Sequence, residues 1–234
     1  IQAVFEASWQ LLTPAEQRVL GRAAIFQGGF TRQAGLQITE ATLGELSGLV
    51  ARILLRRTSA GRYMMHELLR QFVTAKLEQS GEGQANAPRE RHSHYYLDWV
   101  AKQTAAFFSA ELPHVLTALR SELANLRVAW HWGAQHQQHE RLAESVDALT
   151  EFYEASGLLG EAELLFGEAL QAIRGQAATP EQTICEAKLT VALMRMLYGQ
   201  GKLTAAEELF NCAHTLAKAT LDPQIEFRSV RTLL

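Results

Sequence analysis

Ile53-Leu54-Leu55-Arg56-Arg57-Thr58-Ser59-Ala60-Gly61-Arg62-Tyr63-Met64-Met65 is where the apolar period of this chain changes. Before it, Leu43, Leu46, Leu49, Val50, Ile53 and Leu54 recur at helical spacing, so 42–56 is expected to be a helix. Within it, two short β-prone runs flank the turn-forming Thr58-Ser59-Ala60-Gly61, which predicts a hairpin. After it, 67–77 returns to a helical pattern. Further upstream, Thr13-Pro14-Ala15-Glu16 starts a helix. Thr13 can cap it, Pro14 suits its first position and Glu16 completes a capping box. That helix carries Val19, Leu20, Ala23, Ala24 and Phe26 and stops at Gly28-Gly29. Helices are also expected over 1–12, with Val4, Phe5, Ala7 and Trp9 on its apolar side, and over 31–37. Three helices, a hairpin and a further helix outline a winged helix over 1–80.

The polar, turn-forming Ser80-Gly81-Glu82-Gly83-Gln84-Ala85-Asn86-Ala87-Pro88 reads as a linker, placed at 81–88. Beyond it, 89–234 reads as helix throughout: 89–108, 113–136, 139–156, 160–174, 180–198, 203–219 and 223–234. Connections are short, so neighbours should pack antiparallel. The 234 residues are 47% hydrophobic and 20% charged, with 16 Gly, 5 Pro and 2 Cys. That composition suits a soluble, core-forming protein. It excludes collagen, disorder and a disulfide framework. Cys185 and Cys212 are read as buried thiols of a reduced, cytoplasmic protein. No apolar run is long enough to cross a bilayer, and the first ten residues include Glu6 and lack a basic start, so no signal peptide is expected. Residues 1–80 carry a net charge of +3 and residues 81–234 a net charge of −6, which also suggests two modules. The chain opens on Ile1 and stops at Leu234 inside a helical pattern, so a piece of a longer polypeptide is expected.

The second half matches itself at an offset of 44. Ala148, Leu149, Gly157, Leu159, Ala162, Glu163, Leu165, Phe166 and Ala169 recur as Ala192, Leu193, Gly201, Leu203, Ala206, Glu207, Leu209, Phe210 and Ala213, and Tyr153 is answered by Leu197. The glycines suit helix ends that want a left-handed residue. The alanines let helices approach closely, and the phenylalanines fill the space between repeats. The pattern resembles the tetratricopeptide repeat, although that repeat's usual period is 34 and its closing proline is absent here, Arg174 standing in its place. Longer helices, or a loop at 175–179, would take up the excess. Stacked helix pairs leave a concave docking surface; an unspecialised helical bundle is the alternative. The expected fold class is thus mainly α: a winged helix with a small hairpin, then an antiparallel, tetratricopeptide-like array.

The sequence contains no GxxxxGK[ST], GxSxG, HExxH, paired CxxC or EF-hand loop. His131, His136 and His139 form the densest histidine group. Only the last two have ligand spacing, so no metal site is expected and surface histidines are the better reading. His92 and His94 are assigned to different helix faces. Glu161, Glu163 and Glu168 are read as a solvated helix face. A winged helix can bind DNA through a recognition helix, here 42–57. Its polar face offers Gly44, Glu45, Ser47, Gly48 and Arg52, a poor reading surface, so DNA binding is disfavoured. Arg56, Arg57 and Arg62 on the hairpin are the candidates for touching phosphate or DNA.

Residues 1–80 resemble the winged-helix region of the signal-transduction ATPases with numerous domains (STAND). That class spans NB-ARC proteins and large bacterial transcriptional regulators of the LuxR and SARP kinds. The resemblance is carried by Ser8-Trp9-Gln10-Leu11-Leu12, Glu16, Leu20, Ala24-Ile25-Phe26-Gln27-Gly28-Gly29-Phe30, Leu46, Leu49-Val50, Leu54-Leu55 and Arg62-Tyr63-Met64-Met65-His66-Glu67-Leu68-Leu69-Arg70. The last stretch is similar to the family's Met-His-Asp motif, with Glu67 where the family has Asp. The resemblance implies that Met65 and His66 sense nucleotide, the histidine reaching the β-phosphate of ADP held by another domain. His66 as a mere helix cap is the alternative. Arg91-His92-Ser93-His94-Tyr95-Tyr96-Leu97 and Glu122-Leu123-Ala124-Asn125-Leu126-Arg127-Val128-Ala129-Trp130 are similar to the helices joining winged helix to repeats in bacterial members.

What the resemblance implies is a non-catalytic regulatory fragment without a cofactor of its own. The nucleotide-binding core, with ADP or ATP and Mg, would lie upstream and be its first partner. The repeats would sense an unidentified inducer or protein partner. The alternatives are a DNA-binding transcription factor with a helical effector domain and a peptide-docking scaffold.

Overall fold

The computed structural model describes residues 2–79 and 86–220. Residues 80–85, the core of the expected linker, and 221–234, where the last expected helix falls, lie outside the described residues. Among the described residues the chain is mainly α, with eleven α-helices and one two-stranded antiparallel hairpin. It divides into two compact units, Ile1–Tyr95 and Tyr96–Leu234.

In the first unit α1 (Gln2–Gln10), α2 (Pro14–Ala23), α3 (Arg32–Thr39), α4 (Leu43–Ala51) and α5 (Glu67–Gln79) surround a core that includes Leu20, Phe30, Ile38, Leu46, Leu49, Leu55 and Val73. Helix α2 packs on α3, α4 and α5, and α1 packs on α5. The hairpin pairs β1 (Arg56–Arg57) with β2 (Tyr63–Met64), placing Arg56 opposite Met64 and Arg57 opposite Tyr63. Tyr63 also exchanges backbone hydrogen bonds with Phe30, at 2.9 and 2.8 Å. That bridge ties the Gly28-Gly29 turn to the hairpin, and the Phe26, Phe30 and Tyr63 rings stack in sequence beneath it. The first turns of α6 (Asn86–Ala101) belong here too. The buried His92 ring packs edge-on against Phe26 at 5.5 Å, and Arg91 donates to the Ile38 carbonyl. Asn86, Ala87 and Pro88, expected in the linker, form the start of α6. Proline is tolerated there because first-turn N–H groups have no intrahelical acceptor.

Two capping boxes start α2 and α4. The Thr13 hydroxyl accepts the Glu16 N–H at 3.2 Å while Glu16 accepts the Thr13 N–H at 2.8 Å. Thr42 and Glu45 repeat the arrangement at 3.2 and 2.7 Å. Each cap contributes about 1 kcal/mol, so Thr13→Ala and Thr42→Ala should each lower the urea midpoint accordingly. Hydrogen bonds from the threonine backbone N–H groups hold both carboxyls below the ordinary glutamate range. A depressed folded pKa contributes stability above the unfolded value, about 4.3, and loses it as pH falls through the folded value. Glu16→Gln with Glu45→Gln keeps the boxes but removes the titration. In acid titrations that double variant should lose less stability than wild type below about pH 4.

Helix α4 is shorter than its sequence pattern suggests. It ends at Ala51, Ile53 takes φ +61°, and the Leu54 and Leu55 N–H groups both close on the Leu49 carbonyl. Leu54 and Leu55 turn into the core while Ile53 is left 90% exposed and Leu43 also faces outward, so neither lies on the expected buried stripe. A β-branched residue in the left-handed region is strained by about 1–2 kcal/mol. Ile53→Gly should therefore raise the unfolding midpoint, by about 1 kcal/mol after the entropy cost of glycine. An unchanged or lower midpoint would mean that Ile53 makes up the strain through contacts.

The second unit continues from α6 through a 3₁₀ turn (Thr104–Phe108), which interrupts the single helix expected over 89–108. It then runs through α7 (Leu112–Gln135), α8 (His139–Ser156), α9 (Leu159–Arg174), α10 (Pro180–Gly199) and α11 (Leu203–Thr220). Helices α7 to α10 each pack on more than their sequence neighbours. Helix α10 lies against α8, α9 and α11, and α7 lies against both α8 and α9. A packed array of this kind needs small residues at the crossings, and Ala148, Ala162, Ala187 and Ala213 are all fully buried.

The offset of 44 is reproduced in the backbone. Gly157 (φ +68°) and Gly201 (φ +75°) end α8 and α10. The Leu158 N–H reaches back five residues to the Tyr153 carbonyl at 3.0 Å, and the Lys202 N–H does the same to Leu197 at 3.0 Å. These are helix closures in which a left-handed residue lets two carbonyls be satisfied. Helices of 18, 16, 20 and 18 residues occupy most of the long period.

Candidate functional site

At the hairpin-to-helix junction of the first unit, β2 delivers Met65 and His66 directly to the start of α5. His66 is exposed and Met65 is half-buried. The His66 carbonyl accepts the Arg70 N–H at 2.9 Å, and its Nδ1 accepts the Leu68 N–H at 3.2 Å, so His66 caps α5. With Nδ1 used as an acceptor, the neutral ring carries its proton on Nε2, which leaves one N–H donor outside the cap. Glu67 is engaged along its own helix. It accepts from Arg70 at 2.8 and 2.6 Å and from Gln71 at 2.9 Å. The Arg70 bonds, then the Gln71 bond, hold its carboxyl below the usual range, and the same contact raises Arg70.

Arg56 and Arg57 stand exposed on β1, and the Arg56 guanidinium approaches the Met64 sulfur at 3.7 Å. Arg62 is different: it donates to the Gly29 carbonyl at 3.1 Å, which fastens the glycine turn to the hairpin. The exposed part of α4 presents Leu43, Gly44 and Ser47, while Arg52 beyond its end pairs with Glu16 at 3.2 Å. The hairpin and its junction with α5 thus carry one imidazole donor, on His66, and two exposed guanidinium groups, on Arg56 and Arg57.

In the second unit the repeat positions form the core. Tyr153, Ala162, Phe166, Ala169, Ala206 and Ala213 are buried, and Phe166 packs against Trp130 at 5.7 Å and Tyr153 at 6.1 Å. Trp130 fixes its own ring by donating to the Leu165 carbonyl at 3.2 Å. Burial pushes the Tyr153 phenol up, opposed by the neighbouring Arg127 guanidinium. Phe210, the counterpart of Phe166, is only partly buried and stacks on His214. These residues hold the array together and present no reactive group.

Burial corrects the reading of His139, and ion pairs add to that of the glutamates. His139 is not a surface histidine: it is buried, its Nε2 meets the Gln176 side-chain oxygen at 2.6 Å, and Gln176 in turn donates to the Ala134 carbonyl at 2.7 Å. On the α9 face Glu161 and Glu168 are exposed and Glu163 half-exposed; Glu161 pairs with Arg127, and Glu163 with Lys202 at 2.6 Å and Gln200 at 2.9 Å. Of the two thiols, Cys185 is buried and pushed up to about 12, which makes it inert, whereas Cys212 is half-exposed. Among the described residues no group of three or more His, Cys, Asp or Glu could hold a metal, and no helix is long and apolar enough to cross a membrane.

One feature escaped the sequence reading. Glu140, Glu144, Asp147, Glu151 and Glu154 recur every three or four residues, so they line one face of α8. Lys188 and Arg195 of α10 meet the later part of this stripe. Lys188 lies 3.6 Å from Asp147 and donates to the Ala143 carbonyl, while Arg195 clamps Glu151 and Glu154. The earlier part opens into a cleft of about 610 Å³ lined by Asp98, Ala101, Lys102, Glu140, Arg141, Glu144 and Lys188. The signal for it was the spacing of the five acids; its other walls come from α6 and α10, far along the chain.

Compared with protein-family models, with curated proteins and with solved structures, the chain matches none.

Proposed function

We propose that this chain is the non-catalytic regulatory part of a cytoplasmic nucleotide-switch protein of the signal-transduction ATPase type. In this reading the first unit is a winged helix, its hairpin forming the wing, and the second is a tetratricopeptide-like array. The winged helix docks on a nucleotide-binding domain that precedes it and holds ADP or ATP with Mg. The array receives an inducer or protein partner. Each ligand shifts the switch only by its differential affinity for the two states.

The observation that carries the reading is His66. It is exposed at a rigid strand-to-helix junction, capped into one orientation and left with one outward donor. A hydrogen bond to a charged phosphate contributes about 1.5–3 kcal/mol, so its loss should speed ADP release roughly 10- to 100-fold. In the protein joined to its nucleotide-binding domain, His66→Ala should show that loss together with a weaker α5 cap. His66→Asn supplies a good cap but not the reach, and should lose ADP retention while keeping stability. Unchanged ADP retention in both variants would sink the role. The coding sequence upstream supplies an earlier test, since it should contain GxxxxGK[ST] between a strand and a helix.

The exposed Arg56 and Arg57 favour one alternative, DNA binding through the hairpin. The absence of basic or amide side chains on the exposed part of α4 argues against sequence readout there. A gel shift at low salt that disappears in Arg56→Ala with Arg57→Ala would support that alternative.

A further inference from the structure

We propose that the cleft between α6, α8 and α10 is the ligand-receiving site of the array, and that it takes a linear peptide segment carrying two basic side chains and one carboxylate. The proposal rests on the reading of the second unit as a receiver and names what it receives.

Some of the charges in the cleft are already satisfied. Six of the seven lining residues are charged, three acidic and three basic. Arg141 is paired with Asp98 at 2.9 Å, and Lys188 with Asp147. Lys102, Glu140 and Glu144 are exposed and make no ion pair among the described residues. The charge left for a ligand is therefore one cation from α6's end and two carboxylates on consecutive turns of α8. Complementarity asks for one anion and two cations on the occupant.

Other ligand classes fit this lining poorly. No aromatic side chain lines the cleft, so neither a nucleobase nor a sugar ring has a stacking platform. The two free carboxylates of α8 repel a phosphate, and a polyamine or a bare metal ion leaves free Lys102 unmatched. A single alanine is the only apolar lining residue, so the cleft lacks the apolar walls of ordinary small-molecule sites. A peptide meets the requirement because side chains of both signs sit a few ångströms apart along one strand, and stacked helix pairs are suited to extended segments.

The test is an array of all hexapeptides composed of Lys, Glu, Ser and Gly, acetylated and amidated at their ends and probed with the labelled full chain at low ionic strength. The expected result is strongest binding by peptides with two lysines and one glutamate. Such peptides should bind at least tenfold more tightly than all-lysine or all-glutamate ones, and the advantage should shrink in salt. Lys102→Glu should move the preference to peptides with lysine alone. Glu140→Lys with Glu144→Lys should move it to peptides richer in glutamate. These are exposed surface positions, so circular dichroism should show the fold unchanged.

Best binding by lysine-only peptides to the unaltered chain would overturn the proposal and leave a nonspecific acidic stripe. Binding no stronger than to Ser/Gly peptides, or a preference unmoved by the charge swaps, would overturn it as well. Any of these results leaves the ADP lock at His66 standing, because that is read by nucleotide release. Loss of the ADP lock would in turn leave the peptide preference intact.

Discussion

Phe166→Ala should bring the second unit close to unfolding. The ring is fully buried between Trp130 and Tyr153, and it spans helices that are not adjacent in sequence. Truncating a buried phenylalanine removes its transfer energy and leaves a cavity, for about 3–5 kcal/mol. A domain has only about 5–15 kcal/mol in total. The Trp130 ring loses its packing partner at the same time, so its fluorescence should change in the native baseline as well as at the midpoint. Phe210→Ala, at the equivalent position 44 residues on, removes a ring that is only partly buried. Its cost should be nearer 1–2 kcal/mol, in proportion to the area withdrawn from water. Urea denaturation followed by circular dichroism separates the two. Equal costs would contradict the account in which Phe166 is the wedge between packed helix pairs.

The second large effect is expected at Arg195. Burial works against its charge, but Glu154 and then Glu151 more than offset that and hold it above its ordinary value. The guanidinium donates through Nε at 2.9 Å and through a terminal nitrogen at 2.5 Å to Glu154, and at 3.1 Å to Glu151. Removing one member of a buried ionic cluster costs about 3–5 kcal/mol because its partners are left uncompensated. Here the three side chains keep 21%, 23% and 32% exposure. Water therefore screens part of the loss, and Arg195→Ala should cost about 2 kcal/mol. Adding Glu151→Gln and Glu154→Gln to an Arg195→Met background should recover most of it, since no stranded carboxylate then remains. If the triple variant is no more stable than Arg195→Ala, the cost lies in lost packing of the arginine stem instead.

Much of the local structure was readable along the chain. Thr13-Pro14-Ala15-Glu16 specifies its helix start by itself, because capping involves residues three apart. The range 139–156 was expected as a helix and is one, bounded by a left-handed glycine. The hairpin was expected where it occurs, though its strands are only two residues each. The pattern over 42–56 overstates the length of α4 because Leu54 and Leu55 continue the apolar spacing. Whether such residues extend a helix or fold back from it depends on where the core lies, and in this chain they fold back.

The candidate sites divide in the same way. The cap at His66 and the glycine closures at 157 and 201 follow from chemistry between near neighbours, and the 44-residue offset announces the two closures. The burial of His92 and His139 does not follow from any local pattern, because a polar residue becomes a core residue only when a distant partner such as Phe26 or Gln176 comes to meet it. The charged cleft shows this most fully. The acids of α8 are visible as a spacing, yet which of them remain free is set by Lys188 and Arg195 from forty-odd residues away. Turns and caps obey interactions a few bonds long. Electrostatic balance is a sum over everything folded within a few ångströms, and in this protein that sum exists only once α6, α8 and α10 stand side by side.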